Sequence, residues 1–257
     1  MGGIVAVVRK WFGRGATTPR LPIAGAVEPI PIGSDVDTVK QARTVVESAT
    51  AQGATADDLI RGDAILKASV DLRVRRVLDA QEEPVACRKG CGHCCQVPVS
   101  TFAFEIFPIA DHVRNTWTSR EKRGLMRRLR AYRATVAKPG ERHPWCPFLH
   151  EGSCSIYEVR PTICRTHHSS DLAACLKDLS VRPPSAQPFH YAVVPLYDGA
   201  FEALGARGGF PEGLEMALAV EIALREPKAM DCFLAGGDPF IAAYRNPRTS
   251  RLSSKRR

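Results

Sequence analysis

Nowhere does the 257-residue chain hold an apolar run near the roughly 20 residues that a membrane-spanning helix needs. The apolar run at the N-terminus, Ile4 to Val8, is followed by Arg9 and Lys10, whereas a secretory signal carries its charges in front. Position 6 is Ala6, where N-myristoylation expects Ser or Thr. With no span, signal or lipid anchor read from the sequence, the expected compartment is the cytoplasm and no membrane partner is expected. There is no internal repeat. There is also no Ser-His-Asp order, no glycine-rich phosphate loop and no pair of carboxylates, which removes the hydrolase and kinase readings. Hydrophobic residues at 44% and charged residues at 25% are ordinary for a soluble domain.

Negative charge is the scarcer sign. Lys and Arg total 36 against 27 Asp and Glu, a formal charge of +9. Arg245, Arg248, Arg251, Lys255, Arg256 and Arg257 lie in a tail without a single acid, expected to be disordered over 246–257. A second concentration, Arg114 to Lys138, lies in a helical pattern. Charge alone supports non-specific phosphate binding. A solvated basic face and a solubilising tail are the commoner outcome, so nucleic acid is not the favoured partner, and nothing identifies a protein partner.

Cysteine, by contrast, is abundant and clustered. Cys87 to Cys95 reads CRKGCGHCC, four thiols in nine residues; Cys146, Cys154, Cys164 and Cys175 follow, and only Cys232 stands apart. Thiols of a cytosolic chain stay reduced, so this pattern indicates metal binding or redox chemistry rather than a disulfide framework. Thiolates are soft ligands that select zinc, copper(I) or iron–sulfur clusters. The two-residue gap of Cys91-x-x-Cys94 lets one backbone knuckle aim two sulfurs at one metal, with Gly90 and Gly92 easing the turn. On an extended backbone Cys94 and Cys95 point to opposite sides, where they serve different metals or leave one as a redox or supporting thiol. Eight thiolates carry a charge that metal ions, with Arg88, Lys89, Arg160 and Arg165, would compensate. His93, His167 and His168 are candidate nitrogen ligands or hydrogen-bond partners of sulfur.

Cys87-x3-Cys91-x2-Cys94 is also the spacing of the radical S-adenosylmethionine motif. That fold requires a strand before the motif and alternating strands and helices after it, whereas here helical patterns precede and follow. CRKGCGHCC with CPFLHEGSCSIYEVRPTICR and HHSSDLAAC resembles the YkgJ-type cysteine-cluster proteins, the CxxCxxCC family, from about residue 80 onward and more weakly as far as LAGGDPF. The resemblance implies zinc or iron held by Cys87, Cys91, Cys94, Cys95, Cys146, Cys154, Cys164 and Cys175, in a structural or regulatory role. The first gap is three residues here, against two in the family's short name. A related cluster is similar to one in flagellin lysine methylases, which implies a [4Fe–4S] cluster and a redox or methyl-transfer enzyme as the alternative, although no S-adenosylmethionine-binding glycine motif accompanies it. Whether the chain is an enzyme stays open.

The expected fold is mainly α: a flexible leader over 1–50 with one short helix near 36–48, a cysteine-cluster domain over 51–245, and the tail. Thr55 caps a helix reaching Ala80, with Asp57 and Asp58 in its first turn. Helices are expected near 101–115 and from a Thr118/Glu121 capping box to Pro139-Gly140. An extended piece is expected at 96–100 and another at 190–197, then helices at 212–224 and 239–244. Arg160-Pro161 shapes the turn into Cys164, Asp171 caps the helix of Cys175, Cys232 behaves as a small buried apolar residue, and Trp117 and Trp145 belong to the core.

Overall fold

Capping chemistry sets where the helices begin. The computed structural model describes residues 27–88, 90–136, 143–177, 186–206 and 213–243. Helix α1 (Asp35–Thr50) starts where Ser34 Oγ accepts the Asp37 N–H. Helix α2 (Ala56–Ala80) starts at a full capping box, in which Thr55 and Asp58 satisfy each other's N–H groups. After α3 (Ala103–Thr116), Thr118 and Glu121 form the second capping box, ahead of α4 (Ser119–Val136). The Thr118–Glu121 box and the Thr55 cap are where the sequence puts them; that Asp58 completes a second box is added by the structure.

The expected leader does not extend to residue 50. Helix α1 buries Ala42, Val46 and Ala49 and lies against α2 and α8 (Val194–Ala206), because one face of this segment is apolar enough to join the core. The helix expected at 36–48 is therefore part of the folded body, while residues 1–26 and the basic tail lie outside the described residues. Gly199 on α8 permits the close approach. A Cβ there would fall 2.3 Å from Val39 O and 2.8 Å from both Ala42 Cβ and Arg43 N. Gly199→Ala should cost about 1–3 kcal/mol, read as a lower denaturant midpoint with unchanged metal content.

The 190–197 segment is helical rather than extended. It holds α7 (Gln187–Tyr191) and the start of α8, with Pro188 and Pro195 in their first turns, where the missing N–H leaves no intrahelical bond unmade. Its β-branched residues and prolines imitate a strand pattern. The expected 212–224 helix begins later, as α9 (Met216–Arg225), because Leu214–Glu215 forms strand β4, antiparallel to β1 (Ser100–Thr101). Near the C-terminus the helix is α10 (Ala229–Leu234), and the expected 239–244 helix is only a 3-10 turn, Ile241–Ala243. The extended exit at 96–100 is shorter too: a 3-10 turn occupies His93–Gln96 and the strand begins at Ser100.

Helices dominate the described residues, with only two two-stranded ribbons. The core runs through α1, α2, α3, α4, α8 and α9, with Phe104, Phe107, Phe189, Leu196 and Phe240 among its largest buried side chains. Two expected core residues differ. Trp117 packs at the core's edge, whereas Trp145 is 48% exposed. Among the described residues no helix is long and apolar enough to cross a membrane.

Candidate metal centre

The first cysteine group lies in a loop leading out of α2. Ala86 N–H donates to the Ser169 carbonyl at 2.7 Å, and the Cys87 sulfur lies 3.9 Å from the His167 and Ser169 carbonyls. Cys91 N–H closes a turn on Arg88 O, with Gly90 at φ 88°, a conformation that suits glycine. Gly92 has an ordinary φ of −109°, so it does not serve the turn as expected. Its bare α-carbon instead lets the loop sit on Leu149, whose Cδ2 would be 3.1 Å from an added Cβ.

The second group surrounds a hairpin that the sequence reading missed. Strands β2 (Leu149–His150) and β3 (Ser153–Cys154) pair Leu149 with Cys154 across a turn at Glu151 and Gly152. Both turn residues have positive φ, 49° and 73°, as a two-residue hairpin requires. HEGS was the available signal. The chain then makes a 3-10 turn at Tyr157–Val159 and enters α5 (Thr162–Arg165), where Cys164 N–H donates to Pro161 O at 3.0 Å. Pro161 thus shapes the turn into Cys164 as expected. Cys175 rides on α6 (Leu172–Lys177), whose Ala174 N–H is capped by Asp171 Oδ1 at 2.8 Å, and α6 packs on the His93–Gln96 turn.

The two groups meet. Cys146 N–H donates to Cys95 O at 2.7 Å, and the two loops cross where Gly90 faces Gly152. Cys87 lies within electrostatic reach of Cys91, Cys94 and Cys175, while Cys164 feels Cys146, Cys154 and Cys94, and Cys95 feels Cys94, Cys146 and Cys154. The eight clustered cysteines are half-buried, and all nine are free thiols. Cys232 is apart and exposed on α10, not buried as expected, because its helix turns only Ala229 and Phe233 inward. Among the described residues no three of these side chains stand in a ready coordination sphere.

Burial raises the thiol pKa at Cys87, Cys154 and Cys164, and pushes Cys146 up to about 12. Cys94 and Cys95 do not point to opposite sides. The pair lies in a 3-10 turn, and a hydrogen bond between the two sulfurs lowers Cys94 to about 7 and raises Cys95. Arg160 favours the thiolate at Cys94, Cys154 and Cys164. Its guanidinium stacks 4.0 Å from the Tyr157 ring centre, and its buried Nε has no hydrogen-bond partner among the described residues. A thiolate nearby could accept from that orphaned donor, and clustered thiols are a donor set that suits a thiophilic metal. Arg88 is exposed, and Lys89 lies outside the described residues.

Three residues that position this centre escaped the sequence reading: Glu105, Asp63 and Lys67. Glu105 is 1% exposed and accepts from Thr101 Oγ1 (2.5 Å), Phe102 N (3.0 Å) and Thr162 N (2.7 Å), tying α3 to the helix of Cys164. Lys67 Nζ donates to Asp63 (2.6 Å) and to Val159 O (3.0 Å), both residues being buried, and burial pushes the Asp63 carboxyl up to about 6. One helical step on, Asp71 accepts from Arg165 at 2.5 Å, while Arg165 also donates to Glu158 O and Arg160 O. The spacing 63, 67, 71 marks one stripe of α2 and was the signal available. Of the histidines, His93 lies in the 3-10 turn beside Cys94, and His168 lies against Phe189, its imidazole pKa lowered chiefly by burial.

The two cysteine groups, all free thiols, lie on loops of a helical scaffold that meet at Cys95 and Cys146. Residues 86–185, which include all eight, match the CxxCxxCC family model, described as "Putative zinc- or iron-chelating domain". The match spans 100 of the 257 residues; over that stretch the chain is similar to this family's domain, which supports a zinc- or iron-binding role. Neither a curated protein nor a solved structure matches the chain.

Proposed function

We propose that Cys87, Cys91, Cys94, Cys95, Cys146, Cys154, Cys164 and Cys175 together hold the metal as thiolates, in a centre whose role is structural or regulatory. The observation that carries this reading is the Cys146 N–H to Cys95 O hydrogen bond, which fixes two cysteine segments 51 residues apart against each other. The thiols that act on Cys87 (Cys91, Cys94 and Cys175) and those that act on Cys164 (Cys146, Cys154 and Cys94) overlap at Cys94, which supports one shared region. Bound metal would draw these short, irregular segments together, in the manner of small metal domains whose binding energy is also folding energy.

Protein purified without oxygen should carry stoichiometric zinc or iron by elemental analysis. Colourless zinc protein would mark mononuclear thiolate sites. Brown protein with broad visible absorption would mark an iron–sulfur cluster, including the [4Fe–4S] form. Metal-free protein with unchanged thermal stability would overturn the proposal.

A further inference from the structure

We propose that the cleft bounded by the start of α1, the end of α2 and the α7–α8 corner binds an apolar monocarboxylate carrying one N–H or O–H donor, an activity separate from the metal centre. The cleft has a volume of about 490 Å³. Small-molecule sites occupy roughly 300–1,000 Å³. Its apolar walls come from Ile32, Val77, Ala80, Pro188, Ala192 and Pro195. Gly33 leaves part of it open, since a Cβ there would meet nothing within 4 Å.

Arg73 forms this cleft in advance of any ligand. Arg73, Val77 and Ala80 share one stripe of α2 at i, i+4 and i+7. The buried Arg73 guanidinium donates to the carbonyls of Ile30 and Pro31, both at 3.0 Å, and to Thr38 Oγ1 at 3.2 Å. Those bonds pin the segment before α1, and α1 itself, against α2.

Two polar groups on the cleft are left unmet. Gln81 Oε1 is buried with no hydrogen-bond partner among the described residues, and a buried acceptor of this kind is costly until a donor reaches it. Arg76 is exposed and makes no ion pair among the described residues. Asp35 also lines the cleft, but it lies within electrostatic reach of Arg73, so two guanidinium groups stand against one carboxylate there. A lone exposed arginine is ordinarily just solvated. This one shares a cleft with apolar walls and an unmet buried acceptor, and the three features together select one chemistry: a carboxylate for the arginine fork, a donor for Gln81, and an apolar body for the walls.

Indoleacetate meets all three requirements and is the probe. Naphthylacetate lacks the donor, and tryptamine carries the opposite charge. Titrated calorimetrically into the intact, metal-loaded protein, indoleacetate should bind with a dissociation constant on the order of 0.1 mM. Naphthylacetate should bind about fivefold more weakly, and tryptamine not detectably. Arg76→Gln should weaken indoleacetate on the order of tenfold, and Gln81→Met about fivefold while leaving naphthylacetate unchanged. No binding, tryptamine or naphthylacetate binding as tightly as indoleacetate, or an affinity indifferent to either substitution would each overturn the proposal. Metal content, measured alongside, keeps any such failure apart from the metal reading.

Discussion

Cys91→Ser is expected to strip the protein of metal and lower its melting temperature by more than about 10 °C, while Cys232→Ser leaves both unchanged. The size follows from what holds the cysteine region together. Between residues 86 and 100, and between 143 and 177, the elements are 3-10 turns, two-residue strands and helices of four and six residues. Fully buried apolar side chains there are few, chiefly Phe148, Ile156 and Val159. Such segments cannot offset their own ordering entropy by burial, so a metal joining them supplies much of their stability. Structural zinc sites contribute about 10–16 kcal/mol in small peptides. Even half of that, about 5–8 kcal/mol, at about 2–4 °C per kcal/mol for a domain of this size, amounts to about 10 °C or more. Cys232 stands exposed on α10, away from both loops. Hydrogen exchange gives the sharper reading: Cys91→Ser should lose protection across both loops and keep it in α1, α3, α8 and α9, whose own buried side chains include no cysteine. Equal behaviour of the two cysteine variants would remove the basis for the site.

What could be seen in the sequence was local. Thr55 with Asp58, and Thr118 with Glu121, state their helix starts in four residues, and the fold agrees because nothing distant competes. Asp171 before the helix of Cys175 is of the same kind. The segment around Val193, Val194 and Pro195 reads as extended by propensity, yet tertiary packing along α1 makes it helical. The two cysteine groups are each plain in the sequence. Their meeting is not, since it depends on a backbone bond between Cys95 and Cys146, 51 residues apart. The orientation of Cys94 and Cys95 was missed for a related reason: alternation holds for strands, and this pair sits in a 3-10 turn. Glu105 was the least legible of all, because an acid in an apolar helix announces nothing about a partner 57 residues away.

That acid carries the second large effect. Glu105→Ala should destabilise the protein by about 3–5 kcal/mol, since it orphans the N–H groups of Phe102 and Thr162 and the Thr101 hydroxyl, at about 1–3 kcal/mol for each buried group left unmade. Thr162 opens α5, and Cys164 follows two residues later with its own N–H tied to Pro161. Freeing that helix start should therefore weaken metal binding by about 10–100-fold, the size usual for residues that hold ligands in place. Glu105→Gln separates the two roles. Its amide keeps the volume and one acceptor but turns two N–H donors toward the ring of donors that Glu105 now accepts, so stability should fall by less while the metal is still loosened. Urea unfolding and competition with a chelator measure the two quantities independently. If Glu105→Ala loses stability but holds metal as tightly as the parent chain, then α5 does not aim Cys164, and the sulfur set around Cys146 and Cys154 must close without it.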